Sequence, residues 1–173
     1  GLDSIKRLPN LTWIDATKAY YYSFDQKNNC VNLNLLDIDA NNIKKVTSVP
    51  SNAENHTITL PSLKVAYTIE NNLYFADGDR QVQVTDNPEN VVAGQSVHRN
   101  EFAINGGIFW SPDGNKLAYY NMDESMVTDY PLVDITERVA TAKPIKYPMA
   151  GMKSHEVKLH VYDVASGSDL MIK

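Results

Sequence analysis

The sequence has 173 residues and a net charge of −5, with the 43% hydrophobic and 21% charged content of an ordinary globular protein. The acidic balance argues against nucleic-acid binding, because phosphate recognition needs a concentrated basic face. A lone cysteine, Cys30, excludes a disulfide framework, and the four histidines are dispersed, so we expect neither a metal nor another cofactor. No stretch is apolar enough to predict a membrane span.

Alternation of apolar and polar residues with period two predicts strands along most of the chain. Clear cases are residues 31–38, 72–76 and 157–164, each bounded by Asn, Asp, Gly or Ser. No segment sustains the 3.6-residue period of a helix. We therefore predict an all-β fold.

Three segments of the chain resemble one another. They read LPNLTWIDATKAYYYSF at 8–24, LPSLKVAYTIENNLYFA at 60–76 and WSPDGNKLAYYNM at 110–122, and align on Ala19, Ala66 and Ala118. A recurrence of about 50 residues is typical of β-propeller blades, which are four-stranded antiparallel sheets. The alternative is a single β-sandwich with similar hairpins. We favour a partial propeller of about three to four blades and, since closed propellers have about four to eight, a fragment of a larger one.

Several segments in the second half of the chain carry a family resemblance. EFAINGGIFWSPDGNKLAYYNMDESMVTDYPLVD at 101–134, YPMAG at 147–151 and VKLHVYDVASG at 157–167 together resemble the N-terminal β-propeller domain of the dipeptidyl peptidase IV family, and IKRLPNLTWIDATKAYYY at 5–22 resembles one of its blades. Within the family, the resemblance is to bacterial dipeptidyl and prolyl tripeptidyl peptidases. The resemblance implies that residues 1–173 form part of this propeller domain.

The same resemblance implies a serine exopeptidase that removes short peptides from N-termini, usually after proline. In such enzymes an α/β-hydrolase domain of the same polypeptide carries the catalytic triad, with its nucleophile in a Gly-x-Ser-x-Gly turn. This sequence offers only Ser-Gly-Ser at 166–168, so we expect the hydrolase domain to be absent from this chain. The chain alone would gate substrate entry and recognise the N-terminus, without catalytic residues of its own.

The segment HRNEFAINGG, at 98–107, matches the position where the family binds the substrate's α-ammonium group. The resemblance assigns this role to Glu101, with Asn100 before it and Phe102 after it as further substrate-binding residues. Many dipeptidyl peptidases have two acidic residues here, so Asn100 leaves dipeptidyl and tripeptidyl specificity both open. The alternative is that Glu101 is an ordinary charged loop residue, and His98 and Arg99 are interpreted as solvated loop residues.

An insertion at about 122–156 interrupts the third repeat and is too long for a simple hairpin loop. The resemblance implies an arm that packs against a second subunit of a homodimer. The apolar contacts of this arm would come from Met126, Val127, Tyr130, Leu132 and Val133. The alternative is an excursion that covers a blade edge of its own chain.

Two functions of different classes remain after this reading. One is the recognition module of a serine exopeptidase acting on peptides with a free N-terminus, which the resemblance places in an exported, periplasmic or cell-surface protein. The other is a non-catalytic β-propeller that binds proteins or acts in a sensor. A downstream Gly-x-Ser-x-Gly motif followed by Asp and His would favour the first.

Overall fold

The computed structural model describes residues 9–60, 62–97, 105–134 and 141–173, with the backbone alone for 132–134 and 141–143. Within these residues all regular structure is β-strand, and the strands pair antiparallel. They form three sheets in succession along the chain, two of four strands and one of five, with one additional two-stranded hairpin. We call the three sheets blades 1, 2 and 3.

Blade 1 contains four strands that pair in the order in which they occur in the sequence. They are β1 (Thr12–Trp13), β2 (Lys18–Asp25), β3 (Cys30–Asp37) and β4 (Asn42–Pro50). Aspartates shape its turns: the Asp15 carboxylate accepts the backbone N–H groups of Thr17 and Lys18, both at 2.8 Å. Aspartate is favoured in turns because its carboxylate can accept hydrogen bonds from the backbone N–H groups two and three residues further along the chain.

Blade 2 repeats the same arrangement with shorter strands. Its strands are β5 (Glu54–Ile58), β6 (Val65–Ile69), β7 (Asn72–Asp77) and β8 (Arg80–Gln83). The predicted Asp-Gly turn joins β7 to β8, where Gly78 adopts a φ of 60° that favours glycine. The central strands β6 and β7 contain the most deeply buried residues of the blade.

Blade 3 differs from the other two in two ways. Its first strand is divided into two parts, and an extra hairpin is inserted between its second and third strands. Along the chain the strands are β9 (Val91–Ala93), β10 (Ile108–Trp110), β11 (Lys116–Asp123), β12 (Asp129–Asp134), β13 (Thr141–Lys146), β14 (Glu156–Asp163) and β15 (Asp169–Ile172). The blade has the order β10-β11-β14-β15, and β9 pairs with β11 beside β10. β12 and β13 pair only with each other.

The blades pack face to face through apolar side chains. Leu33 and Val49 of blade 1 belong to one buried cluster with Val65 and Tyr67 of blade 2. Phe75 of blade 2 belongs to a second cluster, shared with blade 3. Three sheets stacked in succession in this way are blades of a β-propeller and not the two facing sheets of a sandwich.

Hydrogen bonds between blades supplement this packing. The Thr47 hydroxyl of blade 1 donates to the Gly78 carbonyl of blade 2 at 2.6 Å. The Trp110 indole of blade 3 donates to the Thr57 carbonyl of blade 2 at 3.0 Å, and Lys64 Nζ reaches across to the Gly114 carbonyl at 2.9 Å. These bonds satisfy buried polar groups and fix each blade against the next.

A lysine–aspartate pair recurs at the same place in each blade. The pairs are Lys18–Asp37 at 4.0 Å, Lys64–Asp77 at 4.0 Å and Lys116–Asp163 at 2.9 Å. Each lysine stands at the beginning of the second strand, where its carbonyl accepts an N–H from the preceding turn, and each aspartate ends the third strand. The lysines therefore define the structural repeat.

The positions of these lysines correct the sequence alignment of the three repeats, which was based on Ala19, Ala66 and Ala118. The fully buried residues that follow them are Ala19, Val65 and Leu117, so Ala19 does not correspond to Ala66 or Ala118. In blade 1 the equivalent place holds Tyr20. The predicted repeat was right in its segments but one residue out of register in the first of them.

Several large apolar side chains of blades 1 and 3 are exposed. Trp13, Phe24 and Ile43 of blade 1 are 55%, 61% and 57% exposed, and Leu170 of blade 3 is 63% exposed. Large exposed apolar side chains in this number are typical of surfaces that pack against another element. This agrees with the expected fragment of a larger propeller.

Candidate functional site

The divided first strand of blade 3 creates the most unusual local geometry in the chain. β9 pairs with β11 through Ala93 and Asn121, and β10 resumes the pairing with Ile108 opposite Tyr119. The chain thus leaves the strand at Gly94 and returns to it at Gly107, while β11 continues unbroken. The first strand of a propeller blade lies nearest the central channel, so this excursion begins and ends beside the channel.

Both ends of the excursion are bonded to one residue. The Gly94 N–H donates to the Tyr120 carbonyl at 2.8 Å, and the Tyr120 N–H donates to the Gly107 carbonyl at 3.0 Å. We call Gly94, Gln95, Gly107 and Tyr120 the neck. The Gln95 side chain also donates to the Glu70 carbonyl at 2.9 Å, which ties the neck to blade 2.

Glycine is required at both ends of the neck. A Cβ on Gly107 would lie 2.6 Å from the carbonyl carbon of Gln95, a backbone atom that cannot move aside as a side chain can. Gly94 has a φ of 72°, and a Cβ there would lie 3.0 Å from Ile108 and 3.1 Å from Thr68. The neck can therefore close only with glycine at these positions. Gly107 lies in the segment that suggested the site, but its role there was not predicted.

The residues predicted to bind substrate lie on the excursion. Asn100, Glu101 and Phe102 are outside the described residues, as are His98 and Arg99. The structure describes the excursion at residues 94–97 and 105–107 and fixes where it leaves the sheet. The roles of Asn100, Glu101 and Phe102 stay a prediction.

A small polar pocket of about 100 Å³ lies beside the neck, and we call it the neck pocket. One wall is formed by Asn55, His56 and Thr57 of β5, and the other by Gly94 and residues 105–108. The pairing of β5 with β6 is irregular here, and Asn55 has a φ of 53°. The bulge places consecutive polar residues of blade 2 opposite the neck of blade 3.

Hydrogen bonds orient the two polar side chains on the blade 2 wall. Asn55 Nδ2 donates to the Thr68 hydroxyl at 2.8 Å, and His56 Nε2 lies 3.0 Å from the Ala53 carbonyl. The His56 ring also contacts Tyr22 of blade 1, with ring centroids 5.8 Å apart. Partial burial lowers the pKa of His56 below its usual value, although the Ala53 carbonyl opposes this. His56 is therefore neutral at neutral pH.

A larger cleft of about 460 Å³ lies between blades 1 and 2. Val49, Pro50 and Ile69 line it together with the stacked rings of Tyr67 and Tyr74. Burial, together with the neighbouring Tyr74, raises the pKa of Tyr67 to about 12. Cys30 also lines the cleft, but its thiol contacts only the Asn32 side chain, at 3.7 Å. This cleft brings together no acid–base pair, so size alone does not make it the functional site.

The described residues do not assemble a catalytic triad. Ser166 bonds to the Asp163 carboxylate at 2.9 Å within the turn between β14 and β15. His160 pairs instead with Asp169 at 2.7 Å, and Tyr119 donates to the same carboxylate at 3.2 Å. That arrangement joins β11, β14 and β15 and has no serine in it. In the same residues no group of acidic, histidine or cysteine side chains is placed to hold a metal ion.

The insertion contains the β12–β13 hairpin. β11 and β14, which flank it, are directly paired, with Asp123 opposite Glu156, so the hairpin leaves and re-enters the blade at one point. A salt bridge of 3.0 Å joins Lys146 to Asp129 near the base of the hairpin. No helix in the described ranges is long and apolar enough to cross a membrane.

The five predicted arm contacts differ in exposure. Tyr130 is 41% exposed and Met126 is half-buried, but Val127 is only 2% exposed, which does not suit the dimer contact that we expected of it. Leu132 and Val133 lie on β12, and their side chains are outside the description. The sequence reading missed three other exposed apolar residues of the insertion, Tyr147, Met149 and Met152.

Comparison with known proteins identifies the family. The family described as Dipeptidyl peptidase IV (DPP IV) N-terminal region matches residues 8–173. A crystal structure of a Bacteroides ovatus protein assigned as a dipeptidyl aminopeptidase IV superposes with a TM-score of 0.75 at 43% identity, covering 93% of this chain and 21% of that one. Porphyromonas gingivalis dipeptidyl peptidase 4 superposes with a TM-score of 0.69 at 24% identity, over 90% of this chain and 24% of that one, and supports the fold alone.

A curated relative from a fungus agrees with these matches. A Podospora anserina protein assigned as a dipeptidyl-aminopeptidase B is 32% identical over 127 residues, which are 63% of this chain and 14% of that protein. The chain thus corresponds to a minor part of the length of each of these relatives. Together with the three stacked blades, these matches show that the chain belongs to the family of the dipeptidyl peptidase IV N-terminal region.

Proposed function

We propose that this chain is the recognition portion of a serine exopeptidase that releases dipeptides or tripeptides from peptide N-termini. The observation that carries the proposal is the neck, where the chain leaves the first strand of blade 3 at Gly94 and returns to it at Gly107. In the sequence, Glu101 lies between these two points. Family membership supports a dipeptidyl peptidase as the parent protein. The hydrolase domain with the nucleophile belongs to the remainder of that polypeptide.

The chemistry of recognition follows from the residue types on the excursion. The Glu101 carboxylate pairs with the protonated α-amine of the peptide, and such charge-assisted bonds are stronger in a shielded cavity than in water. The amide oxygen of Asn100 accepts a further N–H, and Phe102 supplies an apolar wall. A blocked N-terminus offers no charge to Glu101, so the enzyme acts as an exopeptidase.

Assembly and location complete the proposal. The insertion at 122–156 acts as an arm that contacts a second subunit, with Tyr130 as an exposed aromatic contact. The parent protein is exported and acts in the periplasm or at the cell surface, as the family resemblance implies.

The test uses the full-length parent protein and chromogenic peptides ending in proline, with two or three residues and with free or acetylated N-termini. We expect cleavage of the free-amine peptides only, and a loss of at least tenfold in kcat/KM for Glu101→Gln, equivalent to about 1.4 kcal/mol. Glu89→Gln, the same change at an exposed residue before β9, is the matched control and should behave as wild type. The preferred peptide length separates dipeptidyl from tripeptidyl activity.

Two results would contradict the proposal. If Glu101→Gln cleaves free-amine peptides like the wild type, Glu101 is not the amine-binding residue. If the parent protein cleaves no peptide, the chain is better described as a protein-binding propeller.

A further inference from the structure

The sequence contains one Asn-Gly pair, Asn105-Gly106, which lies immediately before the neck residue Gly107. Asn105 is exposed, and both residues of the pair lie outside the strands. Within the described parts of the chain, nothing hydrogen-bonds to the Asn105 side chain or to the Gly106 N–H. A Cβ on Gly106 would meet nothing within 4 Å, so the space beside its backbone is open. The Asn105 amide and the Gly106 nitrogen are therefore free to approach each other.

The turn between β10 and β11 shows the opposite case. There the Gly114 N–H donates to the Ser111 carbonyl at 2.8 Å, and the Asp113 carboxylate accepts from the Ser111 hydroxyl. The Asn115 amide donates to Asp113 at 2.9 Å, and the Lys116 N–H that follows it donates to the Ser111 hydroxyl at 2.9 Å. A side chain and a backbone nitrogen held in this way must break hydrogen bonds before they can react with each other.

We propose that Asn105 is a site of spontaneous deamidation in the folded protein. The Gly106 nitrogen loses its proton and attacks Asn105 Cγ. A Cγ–N bond forms, the Cγ–Nδ2 bond breaks, and Nδ2 leaves as ammonia. One water molecule then opens the resulting five-membered succinimide ring at either of its two carbonyls, which gives aspartate or isoaspartate. The reaction consumes one water, releases one ammonia and does not depend on the proposed function.

The modification changes the excursion and preserves the neck. Either product adds one negative charge at the neck pocket, which Asn105 and Gly106 line, to a chain whose net charge is already −5. Isoaspartate also adds one carbon atom to the backbone, on the excursion side of Gly107. The Gly107 carbonyl keeps its hydrogen bond from the Tyr120 N–H, so the register of the blade does not change.

The experiment incubates the folded full-length parent protein at neutral and at mildly alkaline pH and follows the tryptic peptide 100–116 by mass spectrometry. Digestion in isotopically labelled water marks any deamidation that occurs during the digest. We expect a gain of about 1 Da at Asn105 that increases with time and with pH, because the attacking nitrogen must lose a proton. Asn115 lies in the same peptide and should stay unmodified, since both its amide and the next N–H are bonded.

Two variants test the chemistry at this position. Gly106→Ala should slow the modification of Asn105 by at least about tenfold, because a side chain restricts the backbone of the attacking residue. The open space beside Gly106 allows this variant to fold. Asn105→Gln keeps an amide but would have to close a six-membered ring, so we expect no modification at residue 105 over the same time. It tests the inference even if Gly106→Ala does not fold.

Three results would overturn the inference. The first is a folded protein that keeps Asn105 intact while the urea-unfolded chain loses the amide, since the fold would then protect the pair. The second is modification of Asn105 and Asn115 at equal rates, which would show that the local geometry has no influence. The third is an unchanged rate of mass gain in Asn105→Gln, which would place the reaction elsewhere in the peptide. None of these readouts depends on whether the parent protein cleaves peptides.

Discussion

At the scale of single residues, the absence of a side chain at Gly107 sets the geometry of the neck. Its neighbour Gly106 is different, because a Cβ there would meet nothing within 4 Å. Two adjacent glycines in the same sequence motif therefore have unequal roles. The distinction depends on Gln95, which lies twelve positions earlier in the chain and contacts Gly107 only because β9 and β10 pair with the same strand.

We predict that Gly107→Ala destabilises the chain by about 1–3 kcal/mol, the usual cost of forcing extra atoms into a packed site. Gly106→Ala should change stability by less than about 0.5 kcal/mol, because the added methyl group meets nothing within 4 Å. Urea unfolding of both variants measures the difference. Equal stabilities would mean that the neck relaxes to accept a methyl group and that its closure does not depend on glycine.

Much of the secondary structure was predictable because its signals are local. The strands expected at 31–38, 72–76 and 157–164 correspond to β3 at Cys30–Asp37, β7 at Asn72–Asp77 and β14 at Glu156–Asp163. The alternation of apolar and polar residues and the turn residues at each end predict these strands without information from distant parts of the chain.

Features that depend on pairing between distant strands were missed or misaligned. The Lys-Ala-Tyr sequence of blade 1 resembles the other two repeats. The lysine–aspartate pairs show, however, that Tyr20 of blade 1 occupies the position that alanine occupies in blades 2 and 3. The neck pocket was not predicted either, since it joins a bulge in β5 to a break between β9 and β10. The bulge has no distinctive local composition, and the glycines at the break do not by themselves indicate what they pack against.

At the scale of elements, the β12–β13 hairpin can be separated from its blade. Because Asp123 and Glu156 are already paired, an Asn-Gly turn can connect β11 to β14 in place of residues 124–155. On the proposal that the insertion is a dimer arm, we predict that the full-length parent with this replacement folds and is a monomer. Circular dichroism measures folding, and light scattering measures the molar mass in solution.

Tyr130→Ala in the intact parent is the finer test of the same prediction, because Tyr130 is exposed on the arm. It should weaken the dimer without affecting the fold, and Tyr147→Ala, near it at a ring distance of 6.0 Å, should do the same. A replacement variant that remains dimeric would refute the arm as the dimer contact and favour a hairpin that covers its own blade.

At the scale of the whole molecule, turn aspartates recur at the strand ends and respond together to acid. Hydrogen bonds from neighbouring backbone and side-chain groups lower the pKa of five carboxyls: Asp15, Asp25, Asp113, Asp123 and Asp163. At Asp163 the hydrogen bond from the Lys116 side chain contributes most. At Asp113, where the Ser111 hydroxyl contributes most, the pKa falls to about 2. The folded chain thus holds these groups ionised at pH values where the unfolded chain protonates them.

We predict that stability falls steeply below about pH 4, because the unfolded state then binds protons that the folded state does not. The stabilisation is complete above the unfolded pKa of these carboxyls, near 3.8, and is lost as pH falls through their lower folded values. His56 adds an earlier, smaller loss below about pH 6.5, since its pKa is also lowered in the folded chain. Urea midpoints measured from pH 7.5 to 2.5 follow both steps.

Asp113→Asn separates one contribution from the total. It should lower the urea midpoint at pH 7 and reduce the dependence on pH below 4, while Asp39→Asn in the turn between β3 and β4 should leave the profile unchanged. A wild-type midpoint that stays constant down to pH 2.5 would contradict the linkage.

The attachment of the excursion through Tyr120 has a consequence for how such a protein can change. The Tyr120 carbonyl accepts the Gly94 N–H at one end of the excursion, and the Tyr120 N–H donates to the Gly107 carbonyl at the other. The segment between Gly94 and Gly107 can therefore be exchanged for one of different length while the strand register of the blade is preserved. Doubling the length of a flexible loop costs only about 0.6 kcal/mol. Under the proposed function, new peptide preferences can therefore evolve, or be grafted, at this one junction without re-optimising the three sheets that support it.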